Sequence, residues 1–459
     1  MPARVPANRP TKRLIAALAV TLMVVARPAA AQEILRDAET EAMFATMAKP
    51  IIDASGLSPG TVKIVLIQDD EINAFTAGGQ TVYINSGLLE AADNVNEVQG
   101  VFAHELGHVA DGHVILADRG AKPALGIQIL SLVLGAAAAA AGSGEAGAGI
   151  FAAGQRAALG RYLSFSRTQE ATADATGAKF LTEAGISGKG MLSFFKKLYN
   201  QQYRYGYTDV DPFLQSHPLS GDRITTLRHT LETAPAWNAP TDPKLEEAFL
   251  RVKAKLKGYV DDPRQTLQAY PLTDQSVYAH YARAYAYHKG GYPDKAQAEA
   301  AALVKADPHN PYFLELEGQI LLESGDPKAA VPPLREATEL TNYQPLIATT
   351  FGHALVATED KANYPEAIKV LKQAVVRDGD NPFAWYQLGT AYAASGDEAR
   401  ASLATAESAA REGDDRLAVL SARRAMAGIP ANTPDWIRAQ DIAMTSQNAI
   451  DDDKDRHDR

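Results

Sequence analysis

The sequence predicts a mainly α chain in two parts, an α+β domain with a small sheet followed by an α-solenoid of helix pairs. Three observations predict it. Two short β-branched runs, bounded by turn residues, precede a helical stretch that carries two histidines four residues apart. From about residue 275 the composition turns to Ala-, Leu- and Tyr-rich helical pairs. In that second half glycines recur at close to a 34-residue period, the spacing of a tetratricopeptide (TPR) repeat.

The first 31 residues stand apart. Arg4, Arg9, Lys12 and Arg13 precede an apolar run from Leu14 to Val25, and Ala29 and Ala31 offer a small-residue cleavage site before Gln32. This is the pattern of a secretory signal peptide cut after Ala31, and it predicts a periplasmic protein. The chain has no cysteine, which excludes a disulfide framework, a thiolate nucleophile and thiolate metal ligands. The formal net charge of −10, near −15 once the leader is removed, argues against nucleic acid as a partner.

Past the leader, residues 33–59 read as a helix with apolar positions at Ile34, Leu35, Met43, Phe44, Met47 and Ile51. Val62 to Ile67 and Thr81 to Ile84 read as strands, the second following Gly78 and Gly79. At a sheet edge, the Thr81–Ile84 strand could pair with an extended substrate backbone. Residues 94–113 read as a helix, and so do residues 161–233. Between them, residues 124–142 are almost devoid of polar side chains, and a second small-residue stretch runs from Ala146 to Leu159. Three readings stay open there: a buried helical hairpin, a segment that touches or enters a membrane, and a hairpin facing a partner.

His104-Glu105-Leu106-Gly107-His108 carries the chemistry. Residues i and i+4 share one helix face, so His104 and His108 can bind one Zn²⁺ together. Glu105, on the same side, can take a proton from water activated by the ion and return it to a leaving amine. With ten histidines in 459 residues, such a run is rare by chance. Gly107 inside the helix costs about 1 kcal/mol against alanine, which a close backbone neighbour would explain. A third protein ligand is needed. His113 does not fit the spacing of a three-histidine centre. Glu170 and Asp174, again i and i+4, could supply one ligand and one carboxylate to orient a histidine, or could simply form a solvated acidic face.

In the second half, Trp385-x-x-Leu388-Gly389-x-x-Tyr392 aligns with Leu314, Glu317, Gly318 and Leu321, and with Ala348, Phe351, Gly352 and Leu355. Small residues recur at Ala296, Ala330 and Ala367, and prolines at Pro308, Pro311 and Pro382 mark boundaries. The Glu359–Asn363 stretch absorbs three extra residues. This predicts four units over about 276–415, whose stacked pairs make a concave surface suited to binding a chain. Asp451 to Arg459 read as a frayed charged tail.

HELGH followed by the Ser166–Asp174 run resembles the M48 zinc peptidases. Asn73-Ala74-Phe75 with Gly78-Gly79, Tyr83 and Gly87-Leu88-Leu89, and later Ser216-His217-Pro218 with Arg223, resemble further motifs of that family in family order. The resemblance implies a zincin-like metallopeptidase domain with one Zn²⁺ per chain on His104, His108 and Glu170, and Glu105 as general base. It implies Asp174 as a helper behind the ligands, His217 near the metal and Arg223 holding that loop. An exported M48 domain followed by TPRs further resembles quality-control peptidases, whose protein substrates are outer-membrane proteins and whose TPRs meet the assembly machinery. A TPR-based chaperone with latent proteolysis is the alternative.

The expected domains are a signal peptide at 1–31, a peptidase domain at 32–235, a helical linker at 236–275, TPR repeats at 276–426, and a C-terminal helix with a charged tail at 427–459. The 124–160 segment, which does not align with the family pattern, is the candidate for peripheral membrane contact.

Overall fold

In the computed structural model, the described residues are 33–58, 60–113, 125, 127–134, 144–205 and 217–457. The signal-peptide expectation for 1–31 lies outside them, as does Ser216.

The sheet has four strands in the order β1-β2-β4-β3: β1 (Glu33–Leu35), β2 (Lys63–Gln68), β3 (Ala74–Ala77) and β4 (Thr81–Asn85). β2 and β4 are parallel, while β1 and β3 each pair antiparallel at the edges. The β3–β4 hairpin turns at Gly78 and Gly79, both with positive φ (61° and 100°), conformations that favour glycine. Phe75 stacks on Tyr83 across it, centroids 5.0 Å apart.

Two expectations are corrected here. Residues 33–35 are a strand, not the start of a helix; pairing with β2 outweighs their local pattern and leaves Ile34 56 % exposed. The helix α1 begins at Ala38 and runs to Ser55, with the Asp37 side chain accepting from the Thr40 N–H. Second, Thr81–Ile84 is not at an edge. β4 is held between β2 and β3, so the free edge on that side belongs to β3.

After the short α2 (Ser86–Ala91), α3 (Val95–Ala110) crosses the middle of the domain. Asn94 caps it, and Glu97 reaches back to the Asp93 N–H while paired with Lys197. Val98, Val101, Phe102 and Leu106 of α3 pack with Met43, Met47 and Ile51 of α1 and with Phe194, Phe195 and Leu198 of α5 (Lys189–Tyr205). The helix α4 (Gly144–Glu183) lies against α3, and α6 (Gly221–Glu232) closes the domain. The stretch expected as a helical linker is helical, as α7 (Pro243–Val260) and α8 (Pro263–Ala269). α7 adds Leu245, Phe249, Val252 and Leu256 to the same core.

Contact between α3 and its neighbours is unusually close. A Cβ on Gly107 would lie 2.8 Å from the Ala173 carbonyl oxygen of α4, and one on Gly177 would lie 2.9 Å from that of Ala103. Gly100 likewise faces the Met191 backbone of α5. The helical glycine of HELGH is explained by this backbone approach.

The second half consists of antiparallel pairs: α9 (Val277–Lys289) with α10 (Pro293–Ala306), α11 (Pro311–Glu323) with α12 (Pro327–Leu340), α13 (Pro345–Ala357) with α14 (Tyr364–Arg377), and α15 (Pro382–Ala394) with α16 (Glu398–Glu412). A further pair, α17 (Asp415–Gly428) and α18 (Pro434–His457), continues the stack. The repeat pattern has a packing cause. Cβ atoms on Gly318 and Gly352 would lie 2.4 Å from Cγ of Leu334 and Leu371, and Ala296, Ala330 and Ala367 are fully buried. The Asp451–His457 stretch is helical rather than frayed, with a Gln447–Asp451 hydrogen bond and a Lys454–Asp451 ion pair along the helix.

The two halves meet through buried polar contacts. Glu39 of α1 accepts from Arg251 of α7 at 2.7 Å and from the Tyr281 hydroxyl of α9 at 2.7 Å, and Lys255 pairs with Asp37. A cavity of about 390 Å³ lies beside this contact, lined by β1 and by α11, α13 and α15.

The Ala/Gly-rich region is not a buried hairpin among the described residues. The helical segment 127–134 packs on α4 through Ser131 and Gly154, and Gln128 bonds Gln155 at 3.3 Å. Ile129, Leu130, Leu132, Val133 and Leu134 are exposed on it, and Ile150 and Phe151 on α4. No helix among the described residues is long and apolar enough to cross a membrane.

Candidate metal centre

α3 carries His104, Glu105 and His108 in its last two turns, all buried. α4 crosses directly over them because of the glycine contacts, and delivers Glu170 and Asp174 from consecutive turns. The loop before α6 brings in His217.

One ligand atom from each of His104, His108, Glu170 and His217 lies within 4.8 Å of the others. Nε2 of His108 is 3.2 Å from Nε2 of His104 and 3.4 Å from Glu170 Oε1. Nε2 of His104 is 3.4 Å from Glu170 Oε2. Nδ1 of His217 is 3.3 Å from His104 Nε2 and 3.2 Å from both Glu170 oxygens. Its other nitrogen is 3.5 Å from Glu105 Oε1.

Behind these groups, His104 Nδ1 lies 3.1 Å from Asp174 Oδ1. Arg223, at the start of α6, donates to both Asp174 oxygens at 2.8 Å and to the Pro218 carbonyl at 2.7 Å, and lies 3.1 Å from Glu170. A single guanidinium thus ties the acidic helix face to the loop that holds His217. Sequence reasoning did not find a role for His113, whose Nδ1 is 2.9 Å from Nδ1 of His108.

Burial and mutual contact shift the ionisation of these groups in opposite directions. Burial would lower the His104 pKa, but its contacts with Asp174 and Glu170 raise it to about 10. Burial, reinforced by the neighbouring His104 charge, lowers His108 to about 2. Burial pushes Glu170 up, yet its bonds to His104 and His217 hold it well below the usual carboxylate range. Burial raises Glu105, neither of whose enclosed oxygens makes a hydrogen bond among the described residues. Three imidazole nitrogens and a carboxylate converging in a buried site are the donor set of a first-row divalent metal. The residues present fit such an ion.

A buried HExxH helix, an acidic side chain brought against it from a second helix and a sheet edge packed beside them define a metal-dependent peptidase domain. Comparison with known proteins agrees, since residues 35–231 match peptidase family M48. The beta-barrel assembly-enhancing protease of Escherichia coli K12 is 27 % identical over 78 % of this chain and 73 % of that protein. Metalloprotease LoiP of the same organism is 31 % identical over 37 % of this chain and 62 % of that protein. Metalloprotease YcaL, also from that organism, is 30 % identical over 40 % of this chain and 67 % of that protein. The TPR protein YrrB aligns structurally over 38 % of this chain and 91 % of its own, at 20 % identity and a TM-score of 0.32; the helix pairs themselves define the repeat. The chain belongs to peptidase family M48 and is a metallopeptidase.

Proposed function

We propose that this chain is a zinc endopeptidase of the periplasm that cleaves outer-membrane proteins during assembly, with the TPR helices binding the substrate or the assembly machinery. The observation that carries the chemistry is the convergence of His104, His108 and Glu170 beside a buried Glu105, whose oxygens make no hydrogen bond among the described residues and lie next to His217. His104, His108 and Glu170 would hold a zinc ion, which would supply Lewis acidity to water and to a carbonyl group. Glu105 takes the proton of that water on a carboxylate oxygen and passes it to the leaving amine. Asp174 and Arg223 keep His104 oriented. The free edge of β3, packed beside α3, can hold an extended substrate by main-chain pairing. His217 either stabilises the developing oxyanion or, in the arrangement seen, stands among the ligands and keeps the enzyme latent.

The substrate class is supported by the name of the 27 % identical relative and by the repeat surface. The compartment is supported by the basic, apolar and small-residue order of the first 31 residues. A second reading, a TPR-based chaperone with latent proteolysis, is favoured by one observation, the burial of His217 inside the donor set.

The test is a pair of variants. Glu105→Gln is expected to retain one zinc per chain while proteolysis falls by roughly 10²–10⁴-fold, and His104→Ala to lose both. Wild-type protein purified without stoichiometric zinc would overturn the enzyme reading.

A further inference from the structure

We infer that His113 is a positioning residue for His108: its Nδ1 accepts the Nδ1 proton of His108, which leaves Nε2 of His108 unprotonated and able to bind the metal. The inference rests on the metal-centre reading above.

The geometry comes from how α3 ends. Asp111 and Gly112 turn back on the helix, with N–H groups donating to the carbonyls of Gly107 (2.9 Å) and Val109 (3.1 Å). Gly112 sits at φ +68°, a conformation that favours glycine. Thr176 of α4 donates to the Asp111 carboxylate at 3.0 Å and fixes the turn to the helix that carries Glu170. His113 is thereby folded back against His108, ring centroids 5.0 Å apart and tilted by 67°, with Nδ1 to Nδ1 at 2.9 Å. Two ring nitrogens at that distance share a proton.

Which ring holds the proton decides the chemistry. If His113 donates, His108 is protonated on Nε2, the nitrogen that faces His104 and Glu170 and must act as ligand. If His108 donates, Nε2 carries a free lone pair directed into the donor set. Only the second arrangement permits ligation, so His113 is the acceptor and carries its own proton on Nε2. The two metal-binding histidines are then oriented in parallel ways, His104 by a carboxylate and His108 by a neutral imidazole. A neutral acceptor orients His108 without adding a third negative group beside Glu170 and Asp174.

Three full-length proteins test this: wild type, His113→Gln, whose amide oxygen can accept the same proton, and His113→Phe, which fills the space without an acceptor. Zn²⁺ affinity is measured by competition with a chromophoric chelator, and the His108 tautomer of the metal-free proteins by ¹⁵N imidazole NMR. Loss of an orienting partner of this kind costs about 10–100-fold in metal affinity. His113→Phe is expected to bind Zn²⁺ at least 10-fold more weakly, and His113→Gln within a few-fold of wild type. In the wild type His108 is expected to be protonated on Nδ1, with that preference lost in His113→Phe. Equal affinity of wild type and His113→Phe, or equal weakening by both substitutions, would overturn the inference. So would a wild-type His108 protonated on Nε2. Because the tautomer is read without metal, a wild type that binds no Zn²⁺ sinks the metallopeptidase reading while the NMR still decides the role of His113.

Discussion

Arg223 donates to both carboxylate oxygens of Asp174 at 2.8 Å, and both side chains are buried. The pair spans elements far apart in sequence and stands directly behind His104, so it links the stability of the fold to the orientation of that imidazole. Removing one member of a buried ion pair costs about 3–5 kcal/mol, because the other charge is left uncompensated. Arg223→Ala is therefore expected to lower unfolding stability by that amount in denaturant melts. It is also expected to weaken zinc binding by about 10–100-fold through the freed Asp174. Unchanged zinc affinity in a folded Arg223→Ala protein would show that the contact is structural only.

Gly107 is set against the Ala173 carbonyl oxygen, so a methyl group there must push α4 away from α3. Gly107→Ala removes the helix-propensity penalty but introduces overpacking worth about 1–3 kcal/mol. The expected outcome is net destabilisation together with reduced zinc content, because Glu170 and Asp174 move with α4. A variant as stable as wild type with full zinc would contradict the close-approach explanation.

Glu315 of α11 supplies a pH dependence at the contact between the two halves. One of its buried carboxylate oxygens makes no hydrogen bond among the described residues, and burial raises its pKa to about 8 against the pull of Lys255. A carboxyl raised in the folded state favours its protonated form there. Its contribution is complete below the unfolded pKa near 4.5 and is lost as pH rises toward 8. Glu315→Gln is expected to match wild type near pH 4 and to melt at a higher temperature above pH 8. A melting difference that does not vary with pH would refute this assignment.

The exposed row Ile129, Leu130, Leu132, Val133 and Leu134, with Ile150 and Phe151 on α4, is an apolar surface on a hairpin that no described element covers. Peripheral contact with a bilayer predicts that the protein floats with zwitterionic phospholipid vesicles. The double substitution Leu130→Ser and Val133→Ser is expected to abolish flotation without changing peptidase activity. Wild-type protein that stays in the soluble fraction would direct the patch to a protein partner instead.

Much of the site was legible in sequence because its core is local. Helical periodicity alone puts His104 and His108 on one face, and Glu170 with Asp174 on another. The resemblance to family M48 joined the two faces and added His217 and Arg223. Sequence spacing weighs His113 only as a third ligand and sets it aside; its contact with His108 depends on a turn at Gly112 and a pin from Thr176. Residues 33–35 read as helix for a similar reason: their partner is β2, which lies beyond α1. The place of β4 inside the sheet, rather than at its edge, is likewise a matter of strand order, which local alternation does not encode.

The sequence by itself determined the repeat and which side chains share a helix face. Spacing on a single helix fixes which nitrogens can meet one ion, and a 34-residue period fixes which small residues lie at helix crossings. The tertiary structure decided how these pieces combine. The α3–α4 approach through Gly107 and Gly177 turns two separate helix faces into one donor set. The residues leading into α6 bring His217 and Arg223 onto it. The buried Glu39, Arg251 and Tyr281 contact sets the repeats against the peptidase domain. Those contacts join residues remote in sequence, and their energy comes from burial and backbone proximity, which no local pattern records.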